Sequence, residues 1–127
     1  MITRLKILAL VIVWLVAAGS PLFAHHTWPV DMSREVTVKG TVTGYNWSNP
    51  HVMLDLDVRE SNGAIEKWNV GGPSTVRMAG NGWDRTTVKV GDVITASGYR
   101  YLDGSNVLRL QKVVMADGKE LFLYGRR

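Results

Sequence analysis

The sequence predicts an all-β fold, and three observations carry that prediction. Five stretches of the chain change between apolar and polar at every second residue, the pattern of half-buried strands. Gly, Asn and Asp clusters punctuate them, as at Asn62-Gly63, Gly91-Asp92, Asp103-Gly104 and Asp117-Gly118. Only one short segment, Ser74–Ala79, has the composition of a helix, and Gly80-Asn81-Gly82 cannot continue it.

The chain begins with a segment that does not belong to the fold. Arg4 and Lys6 precede an unbroken apolar run over Ile7–Ala18, Gly19-Ser20-Pro21 breaks it, and Leu22-Phe23-Ala24 ends on a small residue. Residues 1–24 therefore read as a secretory signal peptide, since the run is shorter than the roughly 20 residues a spanning helix needs. Cleavage after Ala24 makes His25 the first residue of the mature chain. Residues 25–34 show no periodicity and read as an extended N-terminal arm, with Pro29 holding Trp28 extended.

The domain is expected over residues 35–127. Glu35–Tyr45 is a first strand, with Val36, Val38, Gly40, Val42 and Gly44 on one side and Thr37, Lys39, Thr41, Thr43 and Tyr45 on the other. Gly40 and Gly44 predict a bulge or sharp bend within it. The Trp47–Pro50 corner leads to a second strand, His51–Arg59, and the Asn62-Gly63 turn to a third, Ala64–Val70. After the helix and a connection through Trp83, a fourth strand covers Val93–Tyr101, a fifth Val107–Met115 and a short sixth Glu120–Tyr124.

Three strands, a short helix, two strands and a short extra one is the order of a five- to six-stranded OB-like Greek-key barrel, with its helix between strands 3 and 4. The glycine-kinked first strand and the Val90-Gly91-Asp92-Val93 entry to the fourth agree with it. A β-sandwich would show six or seven strands and no helix.

Composition narrows the function. The formal net charge of +4 falls by two when Arg4 and Lys6 leave with the signal, and the remainder holds no block of like charge. Neither nucleic acid nor, after signal cleavage, a membrane surface is implied as a partner. The chain has no cysteine, which excludes disulfides, thiolate ligands and a cysteine nucleophile. About a hundred mature residues suffice for a core without them. The simplest location is the periplasm of a bacterium.

Several segments taken together carry a resemblance. They are His25-His26, Val38-Lys39-Gly40-Thr41-Val42, Trp47-Ser48-Asn49-Pro50-His51-Val52, Gly82-Trp83, Gly91-Asp92-Val93 and Ala116-Asp117-Gly118-Lys119. The combination resembles an uncharacterised family of small exported bacterial proteins, a domain of unknown function. It spans essentially the whole mature chain, and Asn-Pro-His with the double histidine is its most specific part. The resemblance implies export and an OB-like barrel, and it implies no activity.

Two binding sites are legible. The first is a metal site. At a mature N-terminus, His25 offers an α-amine and an imidazole to one metal, and His51 a third nitrogen, a set that suits Cu(II). His26 supports another mode, through the amine, a deprotonated backbone amide and the second-position imidazole. Met53, one strand step from His51, adds a soft thioether for Cu(I), and Asp55 a carboxylate that could orient an imidazole. Zinc fits less well, without cysteine or a spaced His pair. A His-His terminus also binds copper in a test tube whatever its role.

The second site is an aromatic surface of Tyr45, Trp47 and Trp28, as OB barrels use to stack ligands. Tyr45 and Trp47 fall on the side of the first strand away from the core, whereas Trp68 and Trp83 are expected inside. Catalysis has little support. Asp55 and Asp57 alternate with apolar residues as a solvated strand face does. Ser48 and Ser74 lack an activating motif, and Gly71-Gly72-Pro73-Ser74 lacks the lysine of a phosphate loop. The expectation is a periplasmic binding module rather than an enzyme. Its partner is a metal ion, copper foremost, or a small ligand or another periplasmic protein.

Overall fold

A computed structural model describes residues 27–125. The signal segment, His25, His26 and Arg126-Arg127 lie outside the described residues. The elements are β1 (Val30–Asn46), β2 (Met53–Arg59), β3 (Ile65–Gly71), α1 (Thr75–Ala79), β4 (Val93–Tyr101), β5 (Val107–Met115) and β6 (Glu120–Phe122). They form one sheet in the order β3-β2-β1-β4-β5-β6, and a parallel pairing of β3 with β5 closes five strands into a ring. The expected barrel with its helix between β3 and β4 is the architecture observed.

The long first strand serves two neighbours at once. Thr41 to Asn46 pair with β2, while Glu35 to Thr41 pair with β4. One strand can pass between the two halves of the barrel because it bends. Val42 faces Leu56 and Gly44 faces Asp55, so Thr43 is the extra residue of a bulge. Glycine is required beside it. A Cβ on Gly44 would stand 2.6 Å from Asp55 Oδ2, and one on Gly40 would stand 2.7 Å from the Asp57 carbonyl oxygen.

The bulge corrects one reading. Alternation carried through Gly44 places Tyr45 and Trp47 away from the core, but the extra residue reverses the parity. Tyr45 faces Leu54 across the ladder, and both aromatics pack against the core. The arm also differs from expectation, because β1 begins at Val30. Val30 is buried and pairs with Tyr101, Pro29 C=O accepts the Leu102 amide, and Asp31 to Arg34 loop out before pairing resumes at Glu35.

Val42, Leu54, Leu56, Val70, Ile94, Leu108 and Leu110 fill the barrel. One end is plugged by Met78 of α1, Val88, Leu123 and Trp83, which is 2% exposed and donates its indole N–H to the Phe122 carbonyl at 3.1 Å. Trp68 is also buried, with the Arg100 guanidinium 5.0 Å from its ring centroid. Arg100 reaches the β4–β5 turn as well, donating to the carbonyls of Ser105 and Gly104 and to Asn106 Oδ1. Among the described residues no helix is long and apolar enough to cross a membrane.

Candidate functional site

The corner between β1 and β2 is tied down on both sides. Asn49, joined to Pro50 by a cis peptide bond, accepts hydrogen bonds at Oδ1 from the Thr75 backbone N–H and hydroxyl, each at 3.0 Å. It thereby satisfies a free amide at the start of α1, where Ser74 makes no side-chain cap. Val52 N–H donates to Pro73 C=O at 3.1 Å and Val52 C=O accepts from Gly72 N–H at 2.8 Å, extending the β2–β3 ladder past its Met53–Gly71 pair. His51 is held between these two anchors.

The arm returns to this corner. The Trp28 ring lies with its centroid 4.7 Å from that of His51, at 63°, and 6.0 Å from that of Tyr101, at 85°. These are edge-on arrangements that aromatic rings favour. Beneath it is Gly71, where a Cβ would stand 2.5 Å from Trp28 Cη2 and 2.8 Å from Met53 Sδ. Trp28 and Met53 therefore meet over a backbone position that only glycine leaves open. His51 Nδ1 is buried and has no hydrogen-bond partner among the described residues.

Trp28, His51 and Met53 are thus brought together, and the other expected site residues are not with them. His25 and His26 lie outside the described residues. Asp55 accepts a hydrogen bond from Asn69 Nδ2 at 2.7 Å, so its carboxylate is engaged along the sheet rather than with His51. Tyr45 and Trp47 contact each other edge-on at 6.2 Å, and the Tyr45 hydroxyl donates to the Asp84 carbonyl at 2.7 Å. Burial, and then the Asp84 carboxylate, push the Tyr45 phenol up to about 12. Asp84 itself is held below the usual carboxylate range by hydrogen bonds from Thr86 and then Thr87. Among the described residues no three His, Cys, Asp or Glu side chains cluster as metal ligands.

The model of a family of unknown function, DUF6152, matches residues 11–108. The chain belongs to this family. No match emerges among curated proteins or among solved structures. The DUF6152 span takes in the arm, the Asn49-Pro50-His51 corner and Gly71, so all parts of the Trp28 seat fall within it.

Sequence reasoning joined His51 and Met53 in one metal site and put Trp28 on a separate aromatic surface, and it did not find the seat that brings all three together. Its signal is Gly71-Gly72 at the end of a strand, since adjacent glycines there mark a close approach of another group. The tie from Asn49 to Thr75 left a weaker trace, an Asn before Pro facing a helix whose own cap residue is unused.

Proposed function

We propose that the protein is an exported, periplasmic binding module that holds a copper ion between the N-terminal residue of its mature chain, His25, and His51. The reading rests above all on His51 Nδ1, a buried imidazole nitrogen with no hydrogen-bond partner among the described residues. A buried polar atom left unpaired costs about 1–3 kcal/mol, which coordination of an ion or a bonded group would offset. Trp28 makes the pairing with His25 feasible. Its ring is in contact with His51, and three residue steps span at most about 10 Å of chain. The α-amine and imidazole of His25 with an imidazole of His51 form the nitrogen set that Cu(II) favours, and the Met53 thioether suits Cu(I). His26 is the alternative N-terminal ligand. Binding and handing on of the ion, rather than catalysis, is the activity this set supports.

The competing reading is a barrel that binds a small ligand or a protein through Tyr45, Trp47 and Trp28. It is less favoured, because Tyr45 packs on the core with its hydroxyl engaged and Trp28 lies against His51.

Native mass spectrometry of the protein secreted through its own signal peptide, after growth with trace copper, separates the two. The copper reading expects a mass that starts at His25 and carries one copper, and an affinity at least tenfold weaker in His51→Ala, an order of magnitude typical of losing one ligand. A start upstream of His25, or a chain cut at His25 that carries no metal, sinks it. The aromatic reading expects Trp47→Ala to abolish ligand binding and changes at His25 to be silent.

A further inference from the structure

A second site is separate from the His51 corner and independent of copper. A groove of about 510 Å³ crosses the outer face of β1, β4 and β5 and ends against α1. Glu35, Tyr99 and Arg109 form a cross-strand row along its floor, and Arg77 and Tyr124 close one end. The Arg77 and Arg109 guanidinium carbons are each 5.2 Å from the centroid of the Tyr124 ring. Arg109 Nε also donates to Tyr124 Oη at 3.4 Å.

Two cations are thereby gathered on one ring, and among the described residues neither is in a salt bridge. The salt bridges among the described residues are Lys67–Asp57 and Lys112–Glu120, and neither involves these arginines. Stacking on a ring orients a guanidinium without neutralising it. Arg109 Nη1 also donates weakly to Met32 Sδ at 3.9 Å, a contact that an anion would displace. The two guanidinium carbons are at most about 10 Å apart, a span that one anion with two or more oxygens can bridge. Glu35 stands two strands from Arg109, about 10 Å away. It disfavours a ligand charged along its whole length. Tyr99 and Met32, the latter 56% exposed, line the space between.

We propose that this groove binds a small organic anion, its carboxylate or phosphate group held by Arg77 and Arg109 and its apolar body lying along Tyr99 and Met32. Arginine is the side chain suited to such a group, because its planar fork matches the two oxygens.

The test is a ¹H–¹⁵N NMR titration of the mature chain in about 150 mM salt, where weak surface attraction is screened. Phenyl phosphate, benzoate and inorganic phosphate are the probes. Saturable shifts centred on Arg77, Tyr99, Arg109 and Tyr124 are expected with phenyl phosphate or benzoate, and the tighter of the two names the anionic group. Arg109→Gln should weaken binding about tenfold, the loss of one charge-assisted fork. Arg109→Lys, which keeps the charge, should also weaken it, and Lys67→Gln should not. The variant spectra report folding directly. Shifts that do not saturate, shifts spread over the surface lysines, or equal losses in Arg109→Gln and Lys67→Gln overturn the proposal. Inorganic phosphate binding as tightly as phenyl phosphate overturns the assignment of an organic ligand.

Discussion

Replacing Gly71 with alanine tests the seat of Trp28 directly. The new Cβ would stand 2.5 Å from Trp28 Cη2 and 2.8 Å from Met53 Sδ. Carbon atoms pack best at about 3.5–4.0 Å, so the overlap with the indole is about 1 Å. Met53 can swing aside on its flexible stem, but the ring cannot move without lifting off His51 and Tyr101. A fully buried tryptophan covers about 150–250 Å², and Trp28 is half-buried. Losing even 100 Å² of that, at about 25 cal/mol per Å², costs about 2.5 kcal/mol. Overpacking in cores costs about 1–3 kcal/mol, so the two estimates agree. In a domain of about a hundred residues this lowers the melting temperature by roughly 5–15 °C. Thermal melts followed by near-ultraviolet circular dichroism measure it, with Trp28→Ala as the second arm of a double-mutant cycle. In that background Gly71→Ala should cost less than about 1 kcal/mol, because the clash partner is gone. An equal cost in both backgrounds would refute the seat, and so would a Gly71→Ala protein as stable as the parent.

Further outcomes follow from two residues elsewhere in the barrel. Tyr45 titrates in the fold at about 12 against an ordinary 10.0, so the fold favours the neutral phenol. Its contribution to stability is complete below pH 10 and is lost as pH rises toward 12; urea melts across that window should show a decline that Tyr45→Phe flattens. Trp83→Ala should cost about 3–5 kcal/mol in equilibrium unfolding, as removal of a buried tryptophan does. Trp83→Phe should cost about 1–2 kcal/mol, since it keeps most of the ring but removes the indole hydrogen bond to the Phe122 carbonyl.

Much of the barrel was legible because its strands are half-buried and so carry a period of two. The fourth and fifth strands were read to the residue, Val93–Tyr101 and Val107–Met115, because glycine turns bound them, although a bulge at Gln111 breaks the alternation of the fifth. Gly40 and Gly44 announced the bulge, but not which residue would be the extra one, and that decides the facing of everything after it. Tyr45 was misplaced for this reason alone. The arm reads as extended but not as a strand from Val30 onward, because Asp31 to Arg34 loop out of the ladder and erase the period. His51 and Met53 could be nominated by chemistry. Their meeting with Trp28 depends on Gly71, a contact between distant parts of the chain that no local pattern encodes. The gathering of Arg77 and Arg109 on Tyr124 is of the same kind, since each arginine by itself reads as an ordinary surface cation.

The ring closes along a seam of three residue pairs, Asn69 to Gly71 against Val107 to Arg109, with one more hydrogen bond from Asn69 N–H to the Asn106 carbonyl. The β1–β4 and β4–β5 ladders are much longer. A cylinder with one short join is expected to open first along that line, so hydrogen exchange should show a lower opening energy for amides there than for those of the long ladders. Arg100 grips the turn at one end of the join, and Gly71, at the other, carries Trp28. Anything that presses the arm onto its seat therefore also acts as a clasp on the cylinder.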